Sequence, residues 1–375
     1  MLFCLFRRDL PDVQALLAVI LWAGWPFVLW FKDSVLPDFL FTLLWCIALW
    51  LIRVSYEQSP DRGKVIRGIL IGLISYAAYA TRSVGVVLPA ALVSYDLLRS
   101  RRLGPIAGYG AAVFMVLAAC QNLVIHSETS YLQMFTLALG RTSLIYLHSL
   151  SSIFSTATNG WVRVVRYAAT CAAILLFCKG FYWTLRRFRS PIEIAVGMYL
   201  VLLLLWSSGS GTRYVIPVMP FFLFYVVTAL ETIVRTVNLR TGFALESALM
   251  VSLLICYAAE DSNFRNTYVP GGVSTEGFAE LCRYIVTETK TSDVFVFQNP
   301  RVLSLYTRRP SSVYPEHGSP ELIWSYSERI HAHYMIVTDF LEGDAETLEP
   351  FVRKYGAHLR TVFTNPNFRL YALVY

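Results

Sequence analysis

Residues 207–220 read SSGSGTRYVIPVMP, a polar, glycine-rich break between two long apolar runs. Its one cation, Arg213, stands where the second run begins. An arginine at or near membrane depth is costly, which makes it a functional-site candidate by default. The competing reading is an interfacial side chain that only reaches out to water. Which applies depends on what the flanking runs are.

Composition makes them membrane spans. Of 375 residues, 56% are hydrophobic and only 15% are charged, and the mean hydropathy is +0.52. Soluble domains carry about 25% charged residues. In a membrane chain the net charge of +7 is first a matter of topology, so nothing here calls for a nucleic-acid partner. Most of the seven cysteines lie in apolar runs, and none sits in a CxxC or Cys/His spacing. Neither a disulfide framework nor a zinc site is indicated. MLFCLFRRDLPD at the start lacks the small-residue site of a cleaved signal peptide.

Working outward, residues 10–31 form an expected first span and Pro37-Asp38 opens a second, to about residue 52. Residues 65–98 as one helix would run about 50 Å, against a hydrocarbon core of about 30 Å. The interruption at Thr81-Arg82-Ser83 makes this stretch a hairpin of two short helices with Arg82 at its tip. Residues 105–125, 161–185, 191–206, 214–234 and 243–259 are the remaining spans. Residues 126–160 contain Gln133, Arg141 and His148, and 131–154 fits a helix lying in the interface better than a crossing. With this parse Arg7, Arg8, Arg53, Arg62, Lys64, Arg67, Arg99, Arg101, Arg102, Arg186, Arg187, Arg189, Arg235 and Arg240 share one side. Lys32, Arg82, Arg141, Arg163, Arg166 and Arg213 share the other. The richer side is cytoplasmic by the positive-inside bias. The expected fold is therefore a polytopic α-helical membrane protein of about nine spans with its N-terminus inside.

Residues 261–375 are of different composition. Ser274 is placed to cap a helix over 275–289. Strands are expected at 293–298, 333–338, 359–364 and 368–374, and helices around Tyr306, over 320–331 and over 345–354. This alternation reads as a small extracytoplasmic α/β domain, after a membrane domain over 1–260. No GxGxxG or P-loop string supports a nucleotide role. His331 and His333 lack an evident third ligand, so a strand-edge pair outweighs a metal site.

On this parse Asp33, Asp38, Arg82, His126, Glu128, Arg213 and Tyr214 lie at one depth on the outer face. Two arginines can grip a phosphate, and a carboxylate can serve as base for an acceptor hydroxyl. Taken singly, each has a plainer use as helix cap, solvated tip or surface charge.

Three strings carry a family resemblance: SVLPDFLFTLLWCIALWLI, GILIGLISYAAYATRSVGVVLPAALVSYDLL and GTRYVIPVMPFFLFYVVTALE. Together with QNPRVLSLYTRRPSSVYP and TNPNFRLYALVY near the C-terminus, they make the chain resemble bacterial GT-C glycosyltransferases of the protein mannosyltransferase and aminoarabinose-transferase type. The resemblance covers nearly the whole chain and rests on the order and spacing of degenerate motifs. It implies inverting transfer of a sugar from a polyprenyl-phosphate carrier to a lipid, glycan or protein acceptor, outside the bacterial cytoplasmic (inner) membrane. The family's main catalytic aspartate lies in a first external loop, and this chain is expected to begin after it. Asp38 matches the acidic position of a later serine-aspartate motif, with Pro37 in place of the usual small residue. Arg82 and Arg213 match basic positions.

The expected site is thus Asp38, Asp33 and Glu128 as catalytic carboxylates, with Arg213, Arg82 and Tyr214 on the donor phosphate. A divalent metal stays open without support, and no other cofactor is implied. The alternative is a truncated, non-catalytic member that binds lipid-linked glycan or a partner. A secondary transporter would need midplane charges and internal repeats, and neither is found.

Overall fold

The computed structural model describes residues 1–31, 37–57, 63–124, 146–154, 160–187, 191–205, 211–234, 239–265, 272–273, 275–315, 318–340 and 342–375. The chain divides into two compact units, Met1–Phe264 and Arg265–Tyr375.

Unit 1 is helical. Its elements are α1 (Leu2–Phe6), α2 (Asp12–Gly24), α3 (Pro26–Phe31), α4 (Asp38–Glu57), α5 (Lys64–Thr81), α6 (Val87–Ser100) and α7 (Pro105–Val124). They continue with α8 (described helical residues 146–151), α9 (Gly160–Arg187), α10 (Ile192–Leu205), α11 (Gly211–Val215), α12 (Met219–Val234) and α13 (Leu239–Arg265). Among the described residues six helical stretches are long and apolar enough to cross a membrane: 38–57, 64–81, 83–100, 105–123, 160–187 and 242–261. Three shorter apolar helices, α2, α10 and α12, lie within the other three expected stretches.

Several expected boundaries move. The first span is not one helix: it breaks at Trp25, whose ψ of 127° is extended, because the ring of Pro26 disfavours a helical residue before it. The 65–98 stretch does turn at Arg82, but its two helices are not short. Lys64–Thr81 has 18 residues, about 27 Å at 1.5 Å per residue. The expected 214–234 span is interrupted, since Pro217 ends α11 and α12 starts only at Met219. Residues 126–145, which hold most of the expected interfacial segment, lie outside the described residues.

Helix packing in unit 1 uses small residues. A Cβ on Gly72 would lie 2.6 Å from the Gly110 carbonyl oxygen, and one on Gly68 would lie 2.9 Å from the Ile106 carbonyl oxygen. The backbones of α5 and α7 therefore touch directly, as small-residue interfaces allow in membranes. Outward-facing apolar side chains such as Leu123 and Leu175 stay exposed, which suits contact with lipid. Gly72→Leu is expected to force α5 from α7 at an overpacking cost of about 1–3 kcal/mol or more. A lower thermal midpoint in detergent checks it, with Gly108→Ala as control, since a Cβ there meets nothing within 4 Å.

Unit 2 contains α14 (Glu276–Glu288), β1 (Phe295–Val296), α15 (Pro300–Thr307), β2 (Ser311–Ser312), α16 (Pro320–Arg329), β3 (Tyr334–Thr338), α17 (Glu342–Tyr355), β4 (Leu359–Thr364) and β5 (Phe368–Leu373). The sheet order is β2-β1-β3-β5-β4, parallel from β2 to β3 and antiparallel from β3 to β4. Period-two alternation splits the core. Phe295, Ile336, Phe368 and Leu370 pack with Phe278, Leu281 and Leu303 on one side. Val296, Met335 and Val337 pack with Ile323, Leu348 and Phe351 on the other. The cap of α14 is Thr275, whose hydroxyl accepts from Phe278 N at 3.4 Å, and not Ser274. The expected strand 293–298 shrinks to two residues, and β2 was not expected at all.

Candidate functional site

The site gathers at one end of α4. Asp38 is the first residue of that helix, and Thr42 Oγ1 donates to its carbonyl at 2.6 Å. Its carboxylate is 2% exposed and pairs with the Arg82 guanidinium. Arg82 itself is held in an extended conformation (φ −152°, ψ 128°) between α5 and the 3-10 turn Ser83–Val86. Gly85 permits that turn: a Cβ there would lie 2.7 Å from the Ala78 carbonyl carbon. A larger residue would open the hairpin and move Arg82 away.

Arg82 also lies over two rings, with its Cζ 4.1 Å from the Tyr214 centroid and 5.9 Å from that of Phe41. Cation–π attraction of this kind grows when the cation is desolvated, and the Arg82 side chain is 11% exposed. Tyr214 brings α11 into the site. Two side chains fix that short segment through its carbonyls: Tyr199 Oη donates to Tyr214 O at 2.8 Å, and Trp22 Nε1 donates to Ile216 O at 3.3 Å.

Arg213 completes the group. Its Cζ stands 5.2 Å from the Tyr214 centroid, and Nη2 donates to Tyr214 Oη at 3.4 Å. Its Nε is buried without a hydrogen-bond partner, and no carboxylate pairs with it among the described residues. The arrangement therefore holds one guanidinium neutralised by Asp38 and a second whose charge is uncompensated there.

Two tyrosines were not anticipated. Tyr199 lies within electrostatic reach of Arg82, Asp38, Tyr146 and Tyr214. Tyr146, on α8, lies within reach of Tyr214 and Arg82. Burial pushes the Tyr146 hydroxyl up to about 12, helped by Tyr214 and opposed by Arg82. In sequence both are aromatic residues in apolar surroundings, with nothing to separate them from membrane anchors.

Asp38, Arg82, Arg213 and Tyr214 thus come together from distant parts of the sequence. Asp33, His126, Glu128 and residues 207–210 lie outside the described residues. The opposite end of α4, about 30 Å away by helical rise, carries a separate network. There Arg53 binds Asp9 at 2.9 Å and also pairs with Glu57, and Tyr56 Oη donates to Asp96 at 3.0 Å. In unit 2, His333 Nδ1 accepts from Val294 N at 3.2 Å. No metal-binding group of three or more His, Cys, Asp or Glu occurs among the described residues.

The sequence profile of the dolichyl-phosphate-mannose-protein mannosyltransferase family matches residues 1–126, the part that supplies Asp38 and Arg82. The apo crystal structure of the oligosaccharyltransferase of Archaeoglobus fulgidus aligns with 90% of this chain at 12% identity and a TM-score of 0.50. The chain shares the fold of that oligosaccharyltransferase. A second similar structure is the archaeal oligosaccharyltransferase AglB from Archaeoglobus fulgidus, in complex with an inhibitory peptide and a dolichol-phosphate. It aligns with 92% of the chain at 10% identity and a TM-score of 0.51. The chain spans 56% and 59% of the lengths of these two proteins. No curated protein matches it in sequence.

Proposed function

We propose that the chain is a membrane glycosyltransferase that takes a sugar from a polyprenyl-phosphate donor and passes it to a lipid, glycan or protein acceptor. The observation that carries this is Arg213, a partly buried cation without a carboxylate partner among the described residues, beside Arg82 and Tyr214. An anion with several acceptor oxygens satisfies such a pair best, and a phosphate does so through charge-assisted bonds. The dolichol-phosphate bound in the archaeal AglB complex is a ligand of that class.

In this reading the acceptor hydroxyl oxygen bonds to the anomeric carbon while the bond from that carbon to the phosphate oxygen breaks. The electron pair leaves on the phosphate, where Arg213 and Arg82 stabilise the growing charge. The hydroxyl proton goes to a carboxylate. Asp38 is engaged by Arg82 and orients it, so Asp33 and Glu128 are the carboxylates we assign to the proton. The site faces outward across a bacterial cytoplasmic membrane, with unit 2 on the same side as the acceptor.

Reconstituted protein given a radiolabelled polyprenyl-phosphate sugar and membrane extract as acceptor is expected to release polyprenyl phosphate. The engagement of Asp38 favours one rival, a member that binds the lipid-linked glycan without transferring it. That rival predicts saturable donor binding with no release.

A further inference from the structure

Two buried donors at this site have no partner among the described residues: Arg213 Nε and the hydroxyl of Tyr146. Tyr146 is 7% exposed. Tyr199, equally apolar in its surroundings, spends its hydroxyl on the Tyr214 carbonyl, so burial beside this cluster does not by itself strand a phenol. A buried hydroxyl left without a partner costs free energy, and such groups call for an explanation when they persist. The neighbours within electrostatic reach of Tyr146 include Arg82, Tyr199 and Tyr214. Guanidinium groups only donate, so Arg82 and Arg213 offer the hydroxyl proton no acceptor. An anion drawn in by the two arginines would supply one.

We propose that the Tyr146 hydroxyl is a third donor of the Arg82–Arg213 site and hydrogen-bonds a phosphate-ester oxygen of the bound ligand. This rests on the reading of that site as a phosphate site. With its titration pushed up to about 12 by burial, the phenol keeps its proton at neutral pH and serves as a neutral donor. Its place is on α8, which is not among the described helices long and apolar enough to cross a membrane.

The test uses full-length protein in phosphatidylcholine nanodiscs, with geranyl phosphate and inorganic phosphate as probes. Tyr146→Phe removes the hydroxyl and keeps the ring. It is expected to weaken binding of at least one probe by about tenfold, the usual effect of losing one hydrogen bond to a charged group. A geranyl phosphate preference over inorganic phosphate assigns the ligand to a lipid. The ligand-free thermal midpoint of the variant should stay level or rise, because no intramolecular bond is lost. Unchanged affinity in Tyr146→Phe, while Arg213→Ala loses binding, overturns the assignment of Tyr146 alone. A lowered midpoint together with weaker binding also overturns it, as that marks a structural hydroxyl. Absence of binding of both probes to the unaltered protein overturns the phosphate-site reading, and the role of Tyr146 with it.

Discussion

Arg213→Ala is expected to weaken polyprenyl-phosphate binding by at least 30-fold and to abolish any transfer. Truncating one partner of a buried, hydrogen-bonded charge pair costs about 2–5 kcal/mol, and each 1.4 kcal/mol is about tenfold. No described carboxylate compensates for the charge of Arg213. Arg82 is already neutralised by Asp38, so removing Arg213 takes away the cation whose charge is unspent among the described residues. Arg213→Lys should recover only part of the loss, because an ammonium restores the charge but not the planar fork. Titration of a fluorescent polyprenyl phosphate into nanodiscs carrying each variant gives the measurement. Equal affinity in the alanine variant would remove Arg213 from the site.

The second large effect concerns stability. Asp38→Ala should destabilise unit 1 by about 3–5 kcal/mol, since it leaves a buried guanidinium uncompensated. Arg82 cannot simply turn to water, as its side chain is 11% exposed and lies against Tyr214 and Phe41. Arg82→Ala should cost a similar amount by stranding a carboxylate that is 2% exposed. The double variant Asp38→Ala/Arg82→Ala should cost clearly less than the sum, because neither charge is then left alone. Replacing both by apolar residues, Asp38→Leu/Arg82→Met, is expected to restore much of the stability, as buried ion pairs often allow, yet still impair phosphate binding. Unfolding midpoints in a graded detergent series check the cycle. Additive single effects would show that the pair is not coupled.

Much of this site was written in residue types that are rare in their surroundings. Arg82 interrupts an apolar run too long for one crossing, and Arg213 follows a glycine-rich break. Charge at membrane depth is expensive enough that few uses survive. The two arginines could therefore be picked out without coordinates, and so could Asp38 at its helix start. The ion pair between Asp38 and Arg82 joins positions 44 residues apart, and a shared depth does not imply contact. Tyr146 and Tyr199 gave no signal, because a tyrosine in an apolar stretch reads like any interfacial aromatic.

The fold divides similarly. Unit 2 was legible where strands were long enough to show a run of apolar residues, as in β3 and β5. It was not legible at Ser311–Ser312, where two residues pair with β1 but carry no period. In unit 1 the positions of spans followed from hydropathy, and their breaks followed from proline. Pro26 ends a helix that apolar composition alone would continue. The glycine contacts of α5 with α7 needed coordinates, since glycines at this spacing acquire meaning only when a partner helix faces them.

The central claim is that Arg82, Arg213 and Tyr214 form the binding site of a lipid phosphate. A structure of the nanodisc-embedded protein with undecaprenyl phosphate bound tests it most directly. The account predicts phosphate oxygens about 2.8 Å from guanidinium nitrogens of Arg213 and Arg82, with the Tyr146 hydroxyl turned toward the same group. A phosphate bound elsewhere on the protein, with both arginines unchanged in their contacts, would contradict it.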